Sequence, residues 1–600
     1  NYGTIGTSVN DHENVTPFYA ETNGKIKFNG DTTIDMYDGV LITGEDSDYS
    51  SNVGGSEKYQ GLQNVKVELK SDNVTIGSFS GKSLNWDSSS DASLTFQNAL
   101  PGIAKFNNGG VSGGGIHLNG HTYKTILTNG TLNVTAPTIT LDSLSDKYNG
   151  ITMANEVVTI NNSTTVTGNV SSTNIKGQGL SMGSLNTATS NATTGFVNEG
   201  TINVTGGTAT NGIAGMNVSY GTITNNGTVT VDNGVGIYGT NGSKLENTSA
   251  GTINVTNSGY GIVGMATGSA AQAYGKDAGA TGKAVEIIND GTINVAGNNG
   301  IAIFADDNKG VALNEITVTN SKSLTLGDGG VGIAVTDSSN SGSGGIIDVT
   351  GTGSSDIKVG ANGIGIYAQN STVNLNSNYG IETTDGGVGI YLTGSSTLPT
   401  STNLEYKYSG SNTGRGMGII YNVANGTNNT NVNLVNSTGT TGGIIGIFAN
   451  GGGTFTNNGT INGTSAEKEF GIIGENTDVN NAGNITLGNA SDPNKPNIGI
   501  YAKTNNTVTN TGNITVGDNA VGVYGYGVNN TGNITTGSQG TAIYSQGGNI
   551  NVTSGVLTMG QNSAVGIYTA GTGQNVNVAN GVTMNIGSGS FGFANVGQGN

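Results

Sequence analysis

Cysteine is absent from the 600 residues of this chain, which excludes disulfides, thiolate metal sites and cysteine nucleophiles together. Packing and backbone pairing must therefore supply all of its stability. Basic side chains number 21, and Arg415 is the only arginine. With no basic patch to track a phosphate backbone, nucleic acid is a poor partner. A net charge of −18 argues equally against an anionic membrane surface. Charged residues make up 10% of the chain, against roughly 25% in ordinary domains. Six prolines are too few for collagen or a proline-rich linker. No stretch approaches the ~18 consecutive apolar residues of a membrane-spanning helix.

What is present is glycine, 105 residues, and asparagine, about one residue in seven. Disordered chains lack β-branched residues and carry high charge, whereas Val, Ile and Thr recur here in short runs throughout. Two phrases alternate from about residue 198. The first, Asn-x-Gly-Thr-Ile-Asn-Val, stands at 198–204 and 289–295, with variants at 225–231, 251–255, 457–462, 481–487, 510–516 and 530–535. The second, Gly-Val-Gly-Ile-Tyr or a relative, runs from 234–238 through 300–304, 363–367 and 387–391 to 565–568.

Both phrases read as strands. In Thr201-Ile202-Asn203-Val204 the alternation puts Ile202 and Val204 on one face and Thr201 and Asn203 on the other. In 234–238, Val235 and Ile237 are expected to share a face, with Tyr238 pointing away. Glycine supplies the backbone angles of corners, and asparagine tolerates them next best. The Ile of the second phrase (Val at 523) recurs from 237 to 567 at intervals of 20 to 41 residues. A period of roughly 20–30 residues with two or three short strands fits one coil of a parallel β-helix. Stacked at ~4.8 Å, some 14 or 15 coils would make a rod of about 70 Å. A β-propeller needs longer repeats, at about 40–45 residues, and a leucine-rich repeat needs Leu at fixed steps, which are missing. The expectation is an all-β solenoid, with an irregular β-helix or a β-rich subdomain with protruding loops over 1–197 and regular β-helix repeats over 198–600. The chain reads as an excised or processed segment of something longer.

The candidate sites are few. Outward aromatics at Tyr238, Phe304, Tyr367, Tyr391, Phe448, Tyr501, Tyr524, Tyr544 and Tyr568 would form a ladder. Such a ladder either stacks on sugars or stabilises neighbouring coils. Residues 264–284, with Tyr274, and 393–415, with Tyr406, Lys407, Tyr408 and Arg415, read as loop insertions. Insertions of that kind often carry binding, so these five residues are the expected partner contacts. His117 and His121 lack a third metal ligand, His12 stands apart, and Glu45-Asp46-Ser47-Asp48 lacks the rest of a calcium loop. Asp306, Asp307 and Asp328 fall near corners and would suit a polysaccharide-active enzyme only if paired in a groove. No catalytic residue, metal or cofactor is expected.

The alternation of Asn-x-Gly-Thr-Ile-Asn-Val and Gly-Val-Gly-Ile-Tyr phrases resembles the passenger regions of large type V autotransporter adhesins. It is closest to the giant fusobacterial outer-membrane adhesins, the RadD-like group. The resemblance covers about 198–600. It implies a right-handed parallel β-helix at the bacterial cell surface, projecting from the outer membrane as a monomeric rod. The implied partners are host-cell glycans or receptors and other bacteria. A passive stalk and a polysaccharide-active β-helix are the alternative readings.

Overall fold

The computed structural model describes residues 4–6, 24–43, 53–80, 195–205, 214–219, 222–240, 242–267, 283–312, 315–411, 414–436, 443–463, 468–503 and 505–596, and short strands between 83 and 182. The chain is a parallel β-helix that divides into two compact units, Asn1–Ala296 and Gly297–Asn600. In both, a regular coil contributes three strands, and each strand pairs in parallel with its counterpart one coil on.

In the first unit, Gly195–Asn198, Thr222–Asn225, Ser243–Asn247 and Val285–Asn289 stack as one sheet. Thr201–Thr205, Thr228–Val231, Thr252–Val255 and Thr292–Val295 stack as the second. Ala214–Ser219, Val235–Thr240 and Tyr260–Ala266 belong to the third. Stacking begins well before residue 198: Leu132 pairs with Val166, and Val166 with Ile202.

The second unit follows the same plan. Its third sheet runs through twelve strands, from Ile301–Asp307 to Phe591–Asn595. Ile303, Ile333, Ile366, Ile390, Ile419, Ile447, Ile472, Ile500, Val523, Ile543 and Ile567 form its inner column, all buried. These are the residues whose period marks the coils in the sequence. Each buried Ile contributes about 1.5–3 kcal/mol, and the column repeats that gain once per coil.

Val235 does not share the inner face with Ile237. Ile237 is buried and Val235 half-exposed. The strand kinks at Gly236, so residues 236 and 237 both face inward. A Cβ on Gly236 would sit 2.3 Å from Ile253 Cγ2. The same kink leaves two outward residues per coil, at the first and fourth positions of Val-Gly-Ile-Tyr.

The first asparagine of the other phrase lies inside the solenoid. Asn198, Asn225, Asn247 and Asn289 are buried at successive strand ends, and each Nδ2 donates to the next Oδ1 at 2.7–2.8 Å. A second ladder joins Asn428, Asn457, Asn481, Asn510 and Asn530 at 2.8 Å per step. Each of these Nδ2 groups also donates to the carbonyl two residues on, as Asn481 does to Gly483 at 2.8 Å. The ladders satisfy amides that would otherwise be buried without partners, except for Asn198 Oδ1 at the start of the first ladder, which has none. Left-handed corners fall to other asparagines, such as Asn299 and Asn362 just before the third strand.

Candidate functional site

Residues 393–411 do not form a loop that presents a tyrosine cluster. They include the strand Asn403–Tyr408, paired with Tyr379–Thr383 below and Asn431–Asn436 above. Leu404, Tyr406 and Tyr408 point inward and are fully buried, so Tyr406 and Tyr408 cannot meet a partner. Tyr406 Oη lies 2.6 Å from Thr383 Oγ1 and donates to Gly387 O at 3.3 Å. Tyr408 Oη reaches Asp385 and Ser411 O, the latter at 3.0 Å. Burial pushes both phenols well above their ordinary range. Room for the rings comes from the facing strand, where a Cβ on Gly416 would sit 2.2 Å from Tyr406 Oη.

Lys407 points outward and completes a charged ladder. Lys358 and Lys407 each lie 3.2 Å from Glu382 Oε2. Ser355 and Ser409 donate to the same carboxylate at 2.7 Å. Burial works to raise the Glu382 carboxyl, but these four donors outweigh it and hold it at about 2. Arg415 is exposed at the start of Arg415–Asn422, on the third sheet, whereas Lys407 lies on the second. Lys407 and Arg415, the two of these residues that face outward, therefore lie on different sheets. Tyr274, His12, His121 and Glu45–Asp48 lie outside the described residues, and His117 is placed only as the backbone partner of Glu68.

The corner carboxylates act as staples. Asp306 accepts from Thr336 Oγ1 at 2.5 Å, from Ser338 N–H at 3.1 Å and from the Ser338 hydroxyl. Asp307 accepts from the N–H groups of Lys309 and Gly310 at 2.9 and 2.7 Å. Asp337 accepts from Gly342 N–H at 2.8 Å and Asn370 Nδ2 at 2.7 Å. Its burial, which would raise its pKa, is outweighed by these and the Ser339 and Ser341 donors, so it titrates low. Asp328 takes Ala361 N–H at 2.8 Å. Among the described residues no cluster of metal-ligating side chains is found.

The aromatic ladder forms over part of its expected length. Tyr501, Tyr524, Tyr544 and Tyr568 stack with centroids 4.9, 4.6 and 4.9 Å apart and interplanar angles of 28°, 5° and 10°. Tyr367 and Tyr391 stack at 5.5 Å. Because the rings lie face to face along the solenoid, they offer edges and hydroxyls to solvent, not faces.

These tyrosines belong to a larger apolar stripe on the third sheet of the second unit. One outward column runs Ile301, Val331, Ile364, Val388, Met417, Ile445, Phe470, Ile498, Val521, Thr541, Val565, Phe591. The other runs Phe304, Ala334, Tyr367, Tyr391, Ile420, Phe448, Ile473, Tyr501, Tyr524, Tyr544, Tyr568, Ala594. Neither column contains a charge; most members are partly exposed, while Ala334, Val388, Ile420, Ile445 and Ile498 are buried. The outward positions of the second sheet are polar by contrast, among them Thr325, Lys358, Lys407, Asn433, Thr486 and Thr515.

A groove of about 520 Å³ interrupts the first sheet, between residues 394–399 and 423–429. Only single bridges, Thr372 to Thr397 and Leu398 to Asn428, carry the pairing across that coil. Its lining, including Thr397, Pro399, Asn425, Thr427 and Asn429, has no charged side chain. No protein-family model matches the chain, and neither a curated protein nor a solved structure matches it.

Proposed function

We propose that this chain is the extracellular passenger segment of a bacterial surface adhesin, binding host-cell glycans or receptors and other bacteria. The observation that supports it is the division of labour among the polar groups. The carboxylates suited to acid–base work, Asp306, Asp307, Asp328 and Asp337, are spent as acceptors, each taking at least one donor from the neighbouring coil. The surface left over offers hydroxyls, amides and aromatic edges, which recognise ligands rather than break bonds. The uncharged groove beside Asn425 and Asn429 and the exposed Arg415 are the contact surfaces of this reading.

A cell-binding assay with the 1–600 chain tests it. Saturable binding to epithelial cells or to other bacteria, blocked by a simple sugar or amino acid, is the expected result. Absence of binding would make the segment a passive stalk. Release of reducing sugar from a polysaccharide would make it an enzyme.

A further inference from the structure

Among the described residues, the third sheet of the second unit carries an extended apolar outer stripe that the fold does not require. Residues facing solvent on a solenoid can be Thr or Asn, as they are on the second sheet. Here two outward positions per coil stay apolar or aromatic through twelve coils, with Thr541 the one exception. A contiguous patch of that extent marks an interaction surface. We propose that it pairs this solenoid with a second copy of itself, stripe against stripe.

Four arguments select a second copy. The first is area. Eleven steps of ~4.8 Å give a stripe about 53 Å long, and three residues along a strand give a width near 12 Å with side chains. Each copy then buries about 600 Å², or about 1,200 Å² in total, the lower bound for a stable interface. The second is period: a copy carries the same rung spacing, so ridges of one fall between rungs of the other along the whole stripe. The third is charge. With −18 per chain, copies repel wherever acids meet, and the stripe is a long uncharged strip on which they can approach. The same charge disfavours an anionic membrane. The fourth is ring orientation: Tyr524 and Tyr544 spend their faces on each other, leaving no faces for sugars to stack on. Pairing would turn the monomeric rod expected from the sequence into a homotypic contact between neighbouring molecules. It does not depend on the adhesin reading.

Sedimentation velocity of the 1–600 chain across the micromolar range tests the proposal. The expected species is twice the 60.1 kDa monomer, undiminished by added salt, since screening removes the repulsion. Tyr501→Lys with Tyr544→Lys should weaken association at least about tenfold while circular dichroism stays unchanged. Thr486→Lys with Thr515→Lys, on the polar sheet, should leave it intact. Because the chain has no cysteine, single substitutions Tyr391→Cys, Val521→Cys and Val565→Cys give an independent readout. At least one should form a covalent dimer on oxidation, and Thr486→Cys should not. A monomer at every concentration would overturn the proposal. So would a dimer that survives the stripe lysines, or one abolished instead by Phe593→Lys at the last coil.

Discussion

Tyrosine occupies two opposed environments within the second unit. On Asn403–Tyr408 it points inward, and Tyr406 and Tyr408 are fully buried. On the third sheet Tyr501, Tyr524, Tyr544 and Tyr568 point outward and stack on one another. Both sets lie on parallel strands that recur once per coil, so neither residue type nor strand type separates them. Position relative to the strand's alternation does. The inner set falls on the even places of a strict alternation, and the outer set follows a kink that turns two neighbours inward together. The consequence is energetic. An inner phenol must find its hydrogen-bond partner within the protein, and Thr383 and Asp385 supply it. An outer phenol is served by water.

Breaking the inner set should have the largest effect. Tyr406→Ala removes a buried ring and strands the Thr383 hydroxyl, at about 3–5 kcal/mol. Tyr406→Phe keeps the volume and should cost about 1–2 kcal/mol. A solenoid's stability is close to a sum over neighbouring coils, so the loss should be local. Hydrogen exchange should accelerate in the strands containing residues 381, 406 and 434 while strands beyond 500 keep their protection.

The asparagine ladder extends the rule that inner polar groups bring partners. Asn481 donates to Asn510 and Gly483 and accepts from Asn457. Asn481→Ala leaves Asn510 Oδ1 without its donor and should cost about 1–3 kcal/mol, read as a lower urea midpoint. Glu382 tests an intermediate case, an outward carboxylate nearly enclosed by its donors. Its carboxyl is held near 2, below its ordinary 4.5, so the stabilisation is present above pH 4.5 and disappears as the pH falls toward 2. Glu382→Gln should lower the melting temperature at pH 7, by about 1–2 kcal/mol in stability. The gap from the parent chain should close between pH 4.5 and 2.

The solenoid was legible because the third place of Val-Gly-Ile-Tyr, Ile in all but one coil from 303 to 567, is buried in each of them. Its period therefore survives loops of any length. Two features were harder to read. In 403–408 tyrosine replaces the usual Ile and Val, so the familiar phrase disappears and the segment looks like an insertion. The alternation of Leu404, Tyr406 and Tyr408 was nevertheless there to be read as a strand. The leading asparagine of the other phrase is visible as a recurrence, but in the sequence alone corner tolerance explains it equally well. Only stacking shows its amide meeting the same amide one coil on. The stripe needed the kink, because a simple alternation assigns Val235 and its equivalents to the core. The uncharged groove had no signal beyond the irregular spacing around Pro399.

The smallest expected effect belongs to the outer ladder, and it sharpens the contrast most. Tyr524 stacks on Tyr501 and Tyr544 but closes no cavity in the core. Tyr524→Ala should therefore cost only about 0.5–1.5 kcal/mol, several-fold less than Tyr406→Ala for deleting the same atoms. Tyr524→Phe keeps the stack and frees no buried partner, so its midpoint should match the parent chain. A urea titration of the three variants side by side decides the matter. If Tyr524→Ala proved as damaging as Tyr406→Ala, the outer ladder would be part of what holds the coils together. The distinction between buried structural tyrosines and a surface free to meet a partner would then fail.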